Sequence, residues 1–382
     1  MDHKVSETKA ASQLESKPHY EVLDGLRGVA AVMVVAFHLF EGLAEGDHHK
    51  QIINHGYLAV DFFFVLSGFV VGYAYDDRWD RMSLHHFLLR RLIRLHPMIL
   101  LGTLIGAVLF YLQACTVFPL VAQTPVWKLT LFTLIGATLL PVLPSMDIRG
   151  WQEMHPLNGP AWTLLFEYIA NLLYGLFLRK ASKKILAALT LAAACVTLLH
   201  GVIGPEGDFI GGWSFDAEQL RIGTTRLAFP FLAGLLLSRM GRLVTVRNAF
   251  LLCSLAVVVS FSIPRLGGYD HIWMNGLYEA CCIIFLFPLV VLAGSGAKLQ
   301  GGVASRFCRF LGDISYPLYM THYPLIYVFF AVGTNKTIPE NAILPGALAT
   351  FLGAIALSWA YSRFYDVPVR NWLKERLLKD QK

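Results

Sequence analysis

The chain has 382 residues, of which 55% are hydrophobic and 15% charged, and its mean hydropathy is +0.54. That is too apolar for a soluble domain of this size and implies a polytopic membrane protein. A net charge of +6 does not mark a nucleic-acid partner, because the basic residues are scattered over short loops between apolar runs and follow membrane topology instead.

Residues 1–20 are polar, of mixed charge and without an apolar h-region, so they are expected to form a disordered cytoplasmic tail rather than a cleavable signal peptide. Apolar runs then fall near 26–43, 57–75, 97–118, 127–143, 161–178, 185–203, 222–238, 246–263, 275–295, 314–332 and 342–361. The connection 76–96 holds Arg78, Arg81, Arg90, Arg91 and Arg94, whereas 44–56 has only Lys50 and 119–126 has no Lys or Arg, so the N-terminus is placed in the cytoplasm. If all eleven runs crossed, the basic loop Arg179, Lys180, Lys183 and Lys184 would lie outside and the acidic loop 204–219 inside. Treating 127–143, short and containing Pro141, as a partial or re-entrant segment removes every such violation. The expected fold is all-α, with about ten transmembrane helices, one re-entrant segment and both termini cytoplasmic. Residues 21–370 make one integral membrane domain, and 371–382 a basic cytoplasmic tail. The six cysteines have neither metal-ligand nor disulfide-framework spacing and read as buried small hydrophobes; no metal is expected.

The first apolar run, LDGLRGVAAVMVVAFHLF, carries Arg27 and His38. Eleven residues come within roughly 20° of three helical turns, so both project from one face, about 16 Å apart along the axis. Arg27 alone reads as a headgroup-level anchor, but an ionisable group as deep as His38 points to function. In the second run Asp61 lies near the outer end and Ser67 and Gly68 in the middle. The small pair reads as a close helix-packing point, and Asp61 as the partner of a cation or of His38. HHFLLRRLIRLHP before the third span clusters Arg90, Arg91 and Arg94, and such forks suit either a phosphorylated ligand or anionic lipid. In GPAWTLLFEYIANLLYGLF, Trp162 is expected at the membrane interface, with Glu167 and Asn171 sharing a face turned to the bundle interior. In LGDISYPLYMTHYPLI, Ser315, Tyr319 and His322 share a face, and Pro317 and Pro324 predict a broken helix lining a cavity. His322 reads equally as functional or as structural.

Together these stretches resemble the membrane-bound acyltransferase-3 family, whose members transfer acyl groups, commonly acetyl from acetyl-CoA, to hydroxyls of surface sugars and some small molecules. LDGLRGVAAVMVVAFH at 23–38, FFFVLSGF at 62–69, the R-x-x-R of Arg91 and Arg94 before Pro97, W-x-L-x-x-E at 162–167 and LGDISYPLYMTHYPL at 311–325 match in order and cover most of the chain. Thr163 stands where the family has Ser, which keeps a hydroxyl. Many members carry an extra C-terminal soluble domain, and a chain ending at Lys382 is expected to work without one of its own.

The resemblance implies His38 as the essential histidine, Arg91 and Arg94 as donor-side residues, and roles for Glu167 and His322. Acyl-CoA, acetyl-CoA in the simplest case, is then a donor substrate rather than a permanently bound cofactor. A hydroxyl-bearing acceptor, expected to be a sugar, is its partner, and the setting is the cytoplasmic (inner) membrane. The expected chemistry puts the donor's phosphates on Arg27, Arg91 and Arg94 and uses His38 as general base. Asp61 or Glu167 orients it, while Ser67, Ser315, Tyr319 and His322 line the cavity. A two-step route through an acyl group on His38 or Ser67 is the alternative. The rival classes are a secondary transporter or flippase for a lipid-linked sugar or phosphorylated solute, and a non-catalytic lipid or polyprenyl-carrier binder.

Overall fold

A computed structural model describes residues 17, 19–241, 244–297, 299 and 301–378. Among these the regular structure is helical: α1 Glu21–Leu43, α2 Ala59–Tyr75, α3 Leu84–Leu109, α4 Val126–Ala137, α5 Trp162–Leu176, α6 Lys183–Ile203, α7 Ala217–Met240, α8 Ala249–Ser262, α9 Trp273–Cys281, α10 Phe287–Gly296, α11 Gly302–Thr334, α12 Ile343–Tyr361 and α13 Val367–Leu377. Five-residue π-turns join α9 to α10 and α12 to α13, so each pair runs on as one long helix. Among the described residues seven helices are long and apolar enough to cross a membrane: α1, α2, α3, α6, α7, α9–α10 and α12–α13. Three of the ten expected spans are not among them. α5 and α8 have only 15 and 14 residues, and α11, though 33 residues long, carries Tyr316, Pro317, Tyr319, His322, Tyr323 and Pro324 in its uncharged second part.

Contacts between connections sort them to two ends of the bundle. At the near end, where α1 begins, Lys17 donates to the Tyr73 carbonyl at 2.6 Å, and Arg239 ties Asp76 (2.7 Å) to the Leu178 and Ala181 carbonyls. At the far end the His55 N–H donates to Phe261 O (2.9 Å) and the Met154 N–H to Trp213 O (2.8 Å), Arg265 meets Asp208 at 2.6 Å, and Asn335 reaches Ala114 O at 2.7 Å. The short α4 has both flanks at this far end. Thr124 before it donates to Ile148 O after it (3.2 Å), and Lys128 in its first turn to Asp147 O (3.3 Å). Twelve residues rise only about 18 Å, and its last turn is met part-way down α3, where His96 bonds Ala137 O at 2.8 Å. α4 thus leaves and returns to the same end of the bundle, and the partial or re-entrant course expected of the 127–143 run is compatible with that.

Two parallel helix pairs set the positions of the polar side chains. α1 packs along α11 with Gly28 against the Leu311 backbone, and α2 along α7 with Gly68 against Phe231 O; a methyl group at either glycine would collide with the facing main chain. In a membrane such close approach, rather than burial of apolar surface, supplies the packing energy. Gly68 is therefore the packing point expected of it.

Several expectations are corrected. α3 begins at Leu84 with Ser83 as N-cap, well before the expected start of the run at 97, so Arg90, Arg91 and Arg94 belong to the helix itself. Trp162 is buried in protein rather than set at the lipid interface. Cys253, Cys282 and Cys308 are buried, but Cys195 and Cys281 are exposed. Residues 371–377 of the expected tail continue α13; 1–16, 18 and 379–382 lie outside the described residues. α11 is not broken at Pro317 or Pro324. Pro324 deprives the Met320 carbonyl of its helical donor, and Asn158 supplies one instead, its Nδ2 donating at 2.8 Å. Asn158→Leu is therefore expected to lower stability by about 1–3 kcal/mol, the cost of a buried unpaired carbonyl, read as a lower melting temperature of the purified protein. An unchanged melting temperature would contradict this account of the unbroken helix.

Candidate active site

Three cavities follow one another from the near end to the far end. The first is a vestibule of about 690 Å³ whose wall includes Lys17, Arg27, Arg78, Arg94, Arg309, Arg370 and Lys374 against Glu21, Asp24, Asp313 and Asp366. It shares Arg27, Arg94 and Tyr316 with a middle cavity of about 180 Å³. That cavity shares Val60 and Tyr319 with a far cavity of about 270 Å³, where His38 stands. At the last junction the Tyr319 hydroxyl and the Thr163 hydroxyl are 3.0 Å apart, so Thr163 keeps the hydroxyl function expected of a Ser there.

Helices α1, α2, α3, α5 and α11 bring most of the expected residues together. Arg27, Ser67, Arg91, Arg94, Glu167, Ser315 and Tyr319 all wall the middle cavity. Arg27 donates to Ser315 (3.0 Å) and Asp24 (2.7 Å) and is a cavity residue rather than a lipid anchor. Glu167 Oε1 accepts from Arg91 (2.5 Å), Ser67 (2.6 Å) and Asn171 (3.2 Å). Among the described residues Arg94 has no hydrogen-bonded or ion-paired partner, so its fork is free at the mouth of the middle cavity.

His38 is elsewhere, and its neighbours differ from those expected. Its Nδ1 lies 2.8 Å from Glu41 Oε2, one turn further along α1. A carboxylate there accepts the Nδ1–H, which fixes the tautomer and leaves Nε2 with a free lone pair. Neither Asp61 nor Glu167 orients this ring. Asp61 is fully buried and bound to Arg226, with Nη2–Oδ2 at 2.7 Å; Arg226 also donates to Tyr57 O at 2.7 Å and Gly211 O at 3.1 Å and lies 5.4 Å from the Trp162 ring. An unpaired guanidinium on the facing α7 captures the carboxylate more strongly than a neutral imidazole does. Glu167 is held in the middle cavity by Arg91.

His322 walls none of the three cavities. It is fully buried, its Nδ1 is 2.9 Å from Leu318 O and 3.0 Å from Tyr319 O, and its ring stacks 5.7 Å from His38. Tyr323 meets His38 edge to face at 4.6 Å and lies 5.7 Å from the His322 ring, so the three rings form one cluster.

Two residues of the far cavity were missed in the sequence. Glu41 had a local signal, the i, i+3 spacing to His38 on one helix face. Glu153 had none, because it lies in the irregular connection after α4. Its Oε1 accepts from the Tyr327 hydroxyl at 2.5 Å, and burial pushes its carboxyl up to about 7 against the opposing pull of Arg149.

Protein 2 in the picA locus of Rhizobium radiobacter is 31% identical over 47% of this chain and 92% of its own length. The O-acetyltransferase OatA of Staphylococcus aureus is 23% identical over 96% of this chain, and the peptidoglycan O-acetyltransferase OatA of Listeria monocytogenes 26% identical over 93%. The chain spans 60% and 56% of the length of these two relatives. No solved structure matches. Nothing in these likenesses supports the transporter or flippase alternative. The family model described as an acyltransferase domain matches residues 20–363, and the chain therefore belongs to the acyltransferase-3 family.

Proposed function

We propose that this membrane acyltransferase moves an acyl group, acetyl in the simplest case, from cytosolic acyl-CoA to a hydroxyl of a cell-surface glycan, a lipid-linked sugar or a small molecule. The observation that carries the reading is the row of cavities with a basic vestibule at one end and the His38–Glu41 pair at the other. On the positive-inside rule the near end is cytoplasmic, the chain crosses ten times with α4 re-entrant from outside, and both termini face the cytosol of a cytoplasmic membrane. The loop contacts and the basic residues of the near end support that threading.

In this reading the donor's phosphates rest in the vestibule against Arg27 and Arg94, with Arg91 behind them. The thioester arm extends through the middle cavity past Tyr319. By helical rise Arg27 and His38 are about 16 Å apart, a span suited to an extended pantetheine arm. His38 Nε2 takes the proton of the acceptor hydroxyl as its oxygen attacks the thioester carbonyl. The C–S bond then breaks, and the His38 imidazolium gives its proton to the departing CoA thiolate, which restores the neutral base. Glu41, through Nδ1–H, holds the ring and stabilises the imidazolium. The Tyr319 hydroxyl, at the junction of the two cavities, is placed to donate to the developing oxyanion.

The direct test is incubation of purified protein with radiolabelled acetyl-CoA, with and without glycan extract. Label passing into the extract supports the proposal, and none passing contradicts it. Arg94→Lys is expected to weaken acyl-CoA binding about tenfold, the loss of roughly one charge-assisted hydrogen bond, measured by equilibrium dialysis with membrane orientation unchanged. Unchanged donor affinity would return this arginine to a topology signal.

A further inference from the structure

The far cavity is lined for more than an acyl group. Three indoles stand on its wall, Trp151, Trp162 and Trp213, contributed by the connection after α4, the start of α5 and the connection before α7. Glu153 stands among them, only 5% exposed. Its Oε2 lies 3.3 Å from Arg149 Nε but receives no hydrogen bond. Arg149 donates Nε and Nη2 to Pro156 O (3.1 and 2.5 Å) and Nη1 to Gln113 (2.7 Å), so it lends Glu153 charge but no hydrogen. A buried carboxylate oxygen without a donor is rare unless something is meant to donate to it.

Glu153 and Trp213 are held together by their main chains. Met154 N–H donates to Trp213 O at 2.8 Å, and Glu153 forms an isolated bridge with Ser214. Flat aromatic faces accept the C–H face of a sugar ring, and a carboxylate oxygen accepts its hydroxyl hydrogens. The charge balance narrows the ligand further. The guanidinium on this wall, Arg226, is committed to Asp61, Gly211 O and Tyr57 O. Among the described lining residues no other Lys or Arg is left for an anion, while Glu41 repels one.

We propose that the far cavity is the acceptor subsite, that Glu153 is its specificity-determining hydroxyl-binding residue, and that it selects an uncharged sugar ring over an acidic one. The inference rests on the reading of His38 as the centre of acyl transfer. It is tested with purified protein in nanodiscs, radiolabelled acetyl-CoA, and matched acceptors: methyl glucopyranoside and methyl galactopyranoside against the corresponding methyl uronides. The parent protein is expected to show kcat/KM at least about tenfold higher for the neutral member of a pair. Glu153→Gln is expected to raise KM for the neutral acceptor roughly tenfold, more than it lowers kcat, with donor KM within about twofold of the parent. Trp213→Leu leaves the carboxylate in place and is expected to raise the same KM, which keeps the test open if Glu153→Gln fails to fold. Equal transfer to neutral and acidic members by the parent, or parent-like acceptor KM in both variants, overturns the inference and leaves transfer at His38 standing. Failure of the parent to label any acceptor, glycan extract included, overturns the underlying reading instead.

Discussion

Replacing His38 with glutamine is expected to reduce acyl transfer by about 10²- to 10⁴-fold, the contribution typical of a general base, while acyl-CoA binding stays measurable. The amide keeps a polar group of similar reach beside Tyr323 and His322, so the packing of α1 against α11 survives, but it accepts no proton at neutral pH. The proposed donor contacts, Arg27, Arg91 and Arg94, wall the vestibule and middle cavity, away from the substituted ring. Glu41→Gln separates positioning from proton transfer. It keeps an acceptor for Nδ1–H but loses the charge that stabilises the imidazolium, which is worth about 1.5–3 kcal/mol, or roughly ten- to a hundredfold in kcat, with little change in donor KM. Rates are compared at equal protein abundance in the membrane. Near-parent transfer by the His38 variant would make that histidine a packing residue.

Removing the carboxylate of Asp61 is expected to act on the fold and not on the chemistry. Arg226 is 2% exposed and Asp61 fully buried, so Asp61→Ala leaves a guanidinium without its counter-ion inside the bundle, at a cost of about 3–5 kcal/mol. The expected result is a large fall in the amount of folded protein and in its melting temperature. Exchanging both partners, Asp61→Leu with Arg226→Met, removes the stranded charge and should recover part of that loss, though Tyr57 O and Gly211 O remain without their donor. An Asp61→Ala protein that melts like the parent but has lost kcat would instead place Asp61 in the reaction, as its position near the start of a span first suggested.

What could be read from the sequence was whatever one helix fixes by itself. Arg27 and His38 on one face of α1, the Gly68 contact, the arginine cluster of α3 and the shortness of α4 all follow from period, length and charge. Partnerships between helices could not be read, because they depend on which faces meet. Asp61 was free to pair with any cation until α7 placed Arg226 against it, and Glu167 until α3 placed Arg91 beside it. Pro324 misled for the same reason. A proline costs a helix its hydrogen bond only where nothing else fills the gap, and Asn158, some 160 residues earlier in the chain, fills it. The far cavity was the least legible part, since Glu153 and Trp213 sit in irregular connections without a periodic pattern.

The most direct measurement of the central claim uses proteoliposomes with the protein in one orientation. Radiolabelled acetyl-CoA is sealed on the side of the basic vestibule, and a glycan acceptor is supplied only on the side of His38. Cavities in series through one bundle predict that label reaches the acceptor across an intact bilayer, and that His38→Gln abolishes it. Labelling that occurs only when donor and acceptor share a side would contradict the account.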